Sequence, residues 1–201
     1  MCINKCVEKK LISHNPTNGI RLSQFDEVTK EILTLKEIQK LAVTSCPNNE
    51  VKRAFLFSCY CGLRWCDVYQ LRYKDVDFPA RRLTIIQQKV QTHSKSAILH
   101  LNLNHTALKL LQKCNGDRED LVFSLPSYSY TIRILRKWVI DANIRKHITF
   151  HCARHSFITN IMANGANIKT AASLAGHSTT RHTEKYVHII CLLYTSDAAD
   201  E

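Results

Sequence analysis

Residues 83–101 read LTIIQQKVQTHSKSAILHL, and whether this stretch is helix or hairpin decides the fold. Leu83-Thr-Ile-Ile-Gln87 and Ala97-Ile-Leu-His-Leu101 are short strand-like runs, and the segment Lys89 to Lys95 between them is polar. Two such runs around a polar loop predict an antiparallel hairpin. The sequence on both sides has helical periodicity. The expected architecture is therefore mainly α with one small antiparallel β-sheet, an α+β fold.

Outward from the hairpin toward the N-terminus, a short helix is expected from Arg64 to Leu71, and Gly62 breaks the helix before it. That earlier helix should run from about Asn49 to Tyr60, with Val51, Phe55 and Cys59 on one face at a spacing of four. Thr34-Leu-Lys-Glu37 has the form of a capping box, so a further helix starts there and runs to about Ser45. Residues 1–33 are polar, carry the turn signals Asn15-Pro16 and Asn18-Gly19, and read as a linker with the end of something upstream. Toward the C-terminus, helices are expected from Thr106 to Lys113, Ser127 to Asn143, His151 to Asn164 ended by Gly165, Ile168 to Ala175 ended by Gly176, and Thr180 to His188. Residues 191–201, CLLYTSDAADE, contain no basic residue and resemble a library adapter translated in frame. They are expected to be foreign to the chain, which leaves residues 34–190 as the domain.

At 201 residues and 45% hydrophobic, the chain is long enough for one full-sized core. Lys and Arg total 28 against 17 acidic residues, a formal charge of +11, and the basic residues are spread along the chain. Such a balance suggests a polyanionic partner. No apolar run approaches the roughly 20 residues a bilayer span needs, and the N-terminus lacks the apolar centre of a signal peptide, so no membrane and a cytoplasmic location are expected. The nine cysteines form no pair of CxxC knuckles, which favours reduced thiols over zinc or disulfides.

The chemistry concentrates in His151-Cys-Ala-Arg154-His155, which opens a helix after the extended Ile148-Thr-Phe150. At i and i+3, His151 and Arg154 point the same way, so an imidazole and a guanidinium can converge on one ligand. A guanidinium grips two phosphate oxygens in a fork, and a histidine near its own pKa moves a proton. His151 and His155 also have the i, i+4 spacing of a zinc-protease helix. Cys152, however, stands where that motif needs a glutamate, and Arg154 would set a cation beside the metal. No metal is expected, and His155 reads as a hydrogen-bonded support on the inner face of the helix. A second arginine lies in Cys61-Gly-Leu-Arg64-Trp-Cys-Asp67, where Gly62 permits a tight entry and Asp67, one turn on, can orient Arg64.

The order of these motifs, Gly-Leu-Arg64, a hairpin bearing Lys89, His151-x-x-Arg154-His155, Gly176-His177, and Tyr186 nine residues later, resembles the tyrosine recombinases over about residues 31–190. The Gly-Leu-Arg and Ala-Arg-His-Ser-Phe segments resemble integrases of Bacteroides-type mobile elements. The resemblance implies a tyrosine recombinase catalytic-domain fold, with Arg64, Lys89, His151, Arg154, His177 and Tyr186 catalytic and Asp67 and His155 supporting. It also implies that no cofactor is needed, that the partner is double-stranded DNA, and that the parent protein acts as a homotetramer on synapsed DNA in the bacterial nucleoid, this chain alone being monomeric. The physical fit is good. A tyrosine is a poor nucleophile unless its proton is taken and the phosphate charge is neutralised. His151 is expected to accept that proton, Arg64, Arg154 and His177 to neutralise the phosphate, and Lys89 to protonate the departing 5′-hydroxyl, with Lys95 its rival on the same loop.

Two positions depart from the family pattern, with Val90 where a threonine is usual and His100 where a proline is usual. The family's N-terminal DNA-clamping domain and its helix after the nucleophile are expected to be missing or replaced here. Site-specific recombination leads the expectations. Xer-type chromosome-dimer resolution, type IB topoisomerase-like nicking and closing, and an inactive DNA-binding remnant remain as alternatives.

Overall fold

The computed structural model describes residues 2–19, 31–87, 98–113, 116–187 and 190. Its helices are α1 (Cys2–Glu8), α2 (Leu35–Val43), α3 (Asn49–Cys61), α4 (Trp65–Tyr69), α5 (His105–Leu111), α6 (Tyr128–Asp141), α7 (Phe150–Ala163) and α8 (Ile168–Leu174). Residues 181–187 are also helical. The strands β1 (Val76–Asp77), β2 (Arg82–Ile86) and β3 (Ile98–Asn102) form one antiparallel sheet in the order β1-β2-β3. None of the described helices is long and apolar enough to cross a membrane.

The mainly α fold with a small sheet is as expected, and the sheet follows its alternating pattern. Leu83 pairs with Leu101 and Ile85 with Leu99, and these four are buried, whereas the opposite face carries the exposed Ile86 and Ile98. A one-residue slip would turn that apolar set to water, so burial fixes the register. The third strand, β1, was not expected, because two residues cannot display a period. It pairs Val76 with Leu83 and Asp77 with Arg82. The loop from 88 to 97, which carries Lys89 and Lys95, lies outside the described residues.

Helix α3 is the hub, packing against α2, α5, α6 and α7. Its sequence suggested one apolar face, but Ala54, Leu56 and Phe57 are buried as fully as Val51, Phe55 and Cys59, because neighbours surround it. Phe55 meets Trp138 and Phe150 edge-on at centroid distances of 6.0 and 5.7 Å. Each such aromatic contributes about 1.5–3 kcal/mol by burial and each pair about 0.5–1.5 kcal/mol more. Arg53, only 8% exposed, pairs with Glu50 and donates to the carbonyls of Leu110 and Leu111, so the end of α5 is satisfied by a charge from α3.

The chain entering α2 is part of this core. Ile32 and Leu33 are buried, Leu33 N donates to Ser156 Oγ at 2.7 Å, and Asn160 Nδ2 donates back to Leu33 O at 3.1 Å. Two residues of the stretch read as linker thus pack as core, sewn to α7. The capping box at Thr34 and Glu37 forms as its sequence requires.

Gly62 ends α3 at φ +71, its N–H donating to Ser58 O at 2.8 Å. A Cβ there would overlap the Phe157 ring of α7. Gly62→Ala therefore meets both left-handed strain and a clash, and should destabilise the fold by about 2–4 kcal/mol. Gly165→Ala, at φ +93 with open space around it, should cost only the strain, about 1–2 kcal/mol. Urea denaturation of the two variants checks the difference, and equal losses would remove the role given to the Phe157 contact.

Candidate active site

The turn made by Gly62 delivers Arg64 to the N-cap of α4, where its backbone is extended (φ −78, ψ 158) and its side chain makes no capping hydrogen bond to the helix it begins. Nearby, α7 supplies three side chains and α8 ends in a second left-handed glycine, Gly176 (φ +62), that turns the chain into His177. These elements and the helical residues 181–187 enclose a cavity of about 360 Å³, lined by Arg64, His151, Arg154, His155, His177, Ser178, His182, Lys185 and Tyr186. Six residues singled out from the sequence thus share one cavity. A seventh, Asp67, is buried beside it, its Oδ2 lying 3.9 Å from Arg64 Nη1. That separation supplies charge attraction without a directed hydrogen bond.

Arg154 is 2% exposed and is the structural centre of the group. Its Nη1 donates to Gly62 O at 2.7 Å and its Nη2 donates to Ala175 O. One guanidinium therefore ties the turn before Arg64 to the turn before His177, and fixes the spacing of the two. Burial first, and the Arg64 charge second, pull its pKa down to about 10, which leaves it cationic at neutral pH.

Tyr186 is 2% exposed, its ring packed with Phe157, Ile158, Ala171 and Ala175. The phenolic oxygen shares a 2.5 Å hydrogen bond with His155 Nδ1. Burial pushes the phenol up to about 12, against the opposing pull of Arg154 and Arg64, so it carries its proton at neutral pH. His155, read from the sequence as a support, is thus the α7 side chain set against the phenol. His151 is exposed and lies edge-on to the His155 ring, centroids 4.4 Å apart.

His177 Nδ1 lies 2.7 Å from the hydroxyl of the fully buried Thr183. Burial, then Arg154, Arg64, His182 and Lys185, push its pKa down to about 3. It is therefore a neutral imidazole at working pH. As a neutral ring it can offer an anion a hydrogen bond. The sign of its effect on stability follows: the unfolded chain takes up the proton first, so acidification from about 6.5 toward 3 costs stability. In an NMR titration the His177 Cε1–H signal should hold its neutral position down to pH 4. A midpoint near 6.5 would mean that the ring is not held among these cations.

Three further residues escaped the sequence reading. Lys185 and His182 line the cavity through the same helix as Tyr186, at positions where a basic residue on a surface helix carries no signal. Gln87, 3% exposed and one residue past β2, sits against Gly176 and Arg64, and nothing in its sequence context announces a buried amide. Among the described residues, no group of three or more His, Cys, Asp or Glu is arranged to hold a metal ion.

Comparison with known proteins gives the family and the fold. The profile of the phage integrase family matches residues 31–190. The chain is 31% identical over 182 residues to a tyrosine recombinase of Pseudothermotoga lettingae, covering 88% of this chain and 62% of that protein. It is 27% identical over 192 residues to tyrosine recombinase XerC of Oceanobacillus iheyensis, covering 89% and 63%. Among solved structures, its fold is shared by the Tn1549 transposon integrase in complex with transposon right end DNA (TM-score 0.71, 19% identity, 91% of this chain and 70% of that one). It is also shared by XerA recombinase (TM-score 0.65, 20% identity, 83% and 65%). The chain spans a little over three fifths of the length of these two curated relatives.

Proposed function

Because the chain belongs to the phage integrase family, we propose that it is the strand-transferring part of a site-specific DNA recombinase that integrates or excises a mobile element. The observation that supports this reading is the single cavity shared by a buried tyrosine, two arginines and three of the expected histidine positions. A scissile phosphodiester enters between Arg64 and Arg154, whose charges balance the negative charge that builds on its nonbridging oxygens. His177, its Nδ1 hydrogen-bonded to the Thr183 hydroxyl, offers its other ring nitrogen to the same oxygens.

Tyr186 attacks phosphorus. The phenolic proton passes to His155 Nδ1, with the exposed His151 ring edge-on beside it. A phosphorus–phenolate oxygen bond forms as the phosphorus–O5′ bond breaks, and Lys89 protonates the departing 5′-hydroxyl. The product is a 3′-phosphotyrosyl bond that retains the energy for religation, so no cofactor takes part. The acting species is a homotetramer on two DNA duplexes, nucleoid-bound during the reaction.

Covalent capture tests the reading. A pool of nicked duplexes with randomised centres, in which the short cleaved strand diffuses away, should yield a denaturation-resistant protein–DNA band joined at a DNA 3′ end and enriched for one sequence. Binding across the pool without any adduct would refute strand transfer. Capture without sequence enrichment, accompanied by supercoil relaxation, would favour a nicking-closing enzyme.

A further inference from the structure

The geometry points to Gln87 as a positioning residue that holds the Arg64 guanidinium and the Gly176–His177 turn in register; this rests on the recombinase reading above. Gln87 directly follows the last residue of β2, Ile86, and is 3% exposed. Its carboxamide satisfies both of its ends in one orientation, with the nitrogen donating to Gly176 O at 3.1 Å and the oxygen accepting from Arg64 Nη1 at 3.3 Å. The reversed amide would face acceptor to acceptor and donor to donor. Buried amides take the orientation that pairs them.

Two further features fit. Gly176 is held at φ +62, and a Cβ at that position would run into the Gln87 carboxamide, so the turn before His177 is shaped around this side chain. The Arg64–Asp67 pair, at 3.9 Å, is too long to aim a guanidinium by itself. The amide oxygen uses one of the five N–H donors of Arg64 and leaves the rest for a phosphate. A carboxamide suits this place because it is neutral. A carboxylate of the same size would satisfy Arg64, but it would cancel the charge meant for the phosphate and turn an acceptor toward Gly176 O.

Arg154 ties the two turns together through Gly62 O and Ala175 O, and Gln87 adds a second tie, from the sheet to both. The strand that leads into the loop of Lys89 is thereby coupled to the arginine it works with.

Gln87→Met keeps the volume and removes both hydrogen bonds. At saturating nicked duplex, taken from the covalent capture pool, its single-turnover rate of adduct formation should fall about tenfold to a hundredfold, the size of effect that a misaimed catalytic group produces. Its half-saturating DNA concentration should stay within about threefold of the unmodified chain, so the loss appears in the chemical step. Combined with Arg64→Lys, it should slow the reaction no further than Arg64→Lys alone.

The proposal fails if Gln87→Met leaves the rate within about threefold, or if rate, affinity and melting temperature fall together and add to Arg64→Lys. A measurement without DNA stands beside these. In ¹⁵N-labelled protein, the Gln87 side-chain amide protons should exchange far more slowly than those of exposed glutamines, and their signals should move in Arg64→Lys. Exchange as fast as at the surface overturns the bridge by itself. If Arg64→Lys forms adduct at the unmodified rate, or the unmodified chain forms none, the recombinase reading is what fails, and the amide measurement still decides whether Gln87 spans the two turns.

Discussion

Tyr186→Phe is expected to abolish covalent adduct formation while leaving noncovalent binding of the same nicked duplex within about threefold. The phenyl ring keeps its place among Phe157, Ile158, Ala171 and Ala175, so the cavity wall survives, and only the oxygen that would join phosphorus is lost. The hydrogen bond to His155 disappears with it, at a cost of about 1 kcal/mol in stability. A persisting adduct would assign the nucleophile to another side chain. A phenol 2% exposed and bonded to His155 gives up that hydrogen bond when it attacks, on the reading proposed above, so His155 is the side chain placed to take its proton. His155→Phe should therefore slow adduct formation by the 10²–10⁴ range of a lost proton acceptor, whereas an effect confined to His151→Phe would return the proton to the residue first expected to take it.

What the sequence made legible, and what it hid, divides along a physical line. Local chemistry was readable: the capping box at Thr34 and Glu37, the left-handed stops at Gly62 and Gly176, and the alternation in β2 and β3 each depend on a few neighbouring residues. The convergence of Arg64, His151, Arg154, His155, His177 and Tyr186 was readable only through the order of motifs, since no local rule brings residue 64 to residue 154. Contacts between segments far apart in the chain were not readable. Helix α3 is buried all round because four helices surround it, and its own pattern shows one face. His151 and His155 are one turn apart on the same side of α7, and the sequence could not tell which of them the helix of Tyr186 would dock against. Tyr186 packs into an apolar cluster built on the inner face, which places His155 against its oxygen and leaves His151 at the rim. Gln87 was invisible for a related reason. A glutamine just past a strand is ordinary, and its meaning comes from Gly176, 89 positions away along the chain.

Arg154→Lys should lower the rate of adduct formation by about 10²–10³, as expected when a fixed donor to a developing oxyanion is removed. The reason is geometric and not a matter of net charge, which the substitution preserves. The guanidinium is asked to do three things at once: donate to Gly62 O, donate to Ala175 O and face the cavity. A planar fork with five N–H groups can meet all three, but a single ammonium on a flexible stem cannot span two carbonyls and a phosphate. At least one buried carbonyl then loses its partner, which costs about 1–3 kcal/mol. For a domain of this size that lowers the melting temperature by roughly 2–12 °C. The lysine should nonetheless fold, because the Phe55, Trp138 and Phe150 core lies apart from it in the larger apolar cluster. Rate and melting temperature measured on one preparation separate the two losses. A folded Arg154→Lys chain that forms adduct within about threefold of the unmodified rate would show that Arg154 only holds the two turns. In that event Arg64, aimed by Gln87, would be the arginine that meets the phosphate.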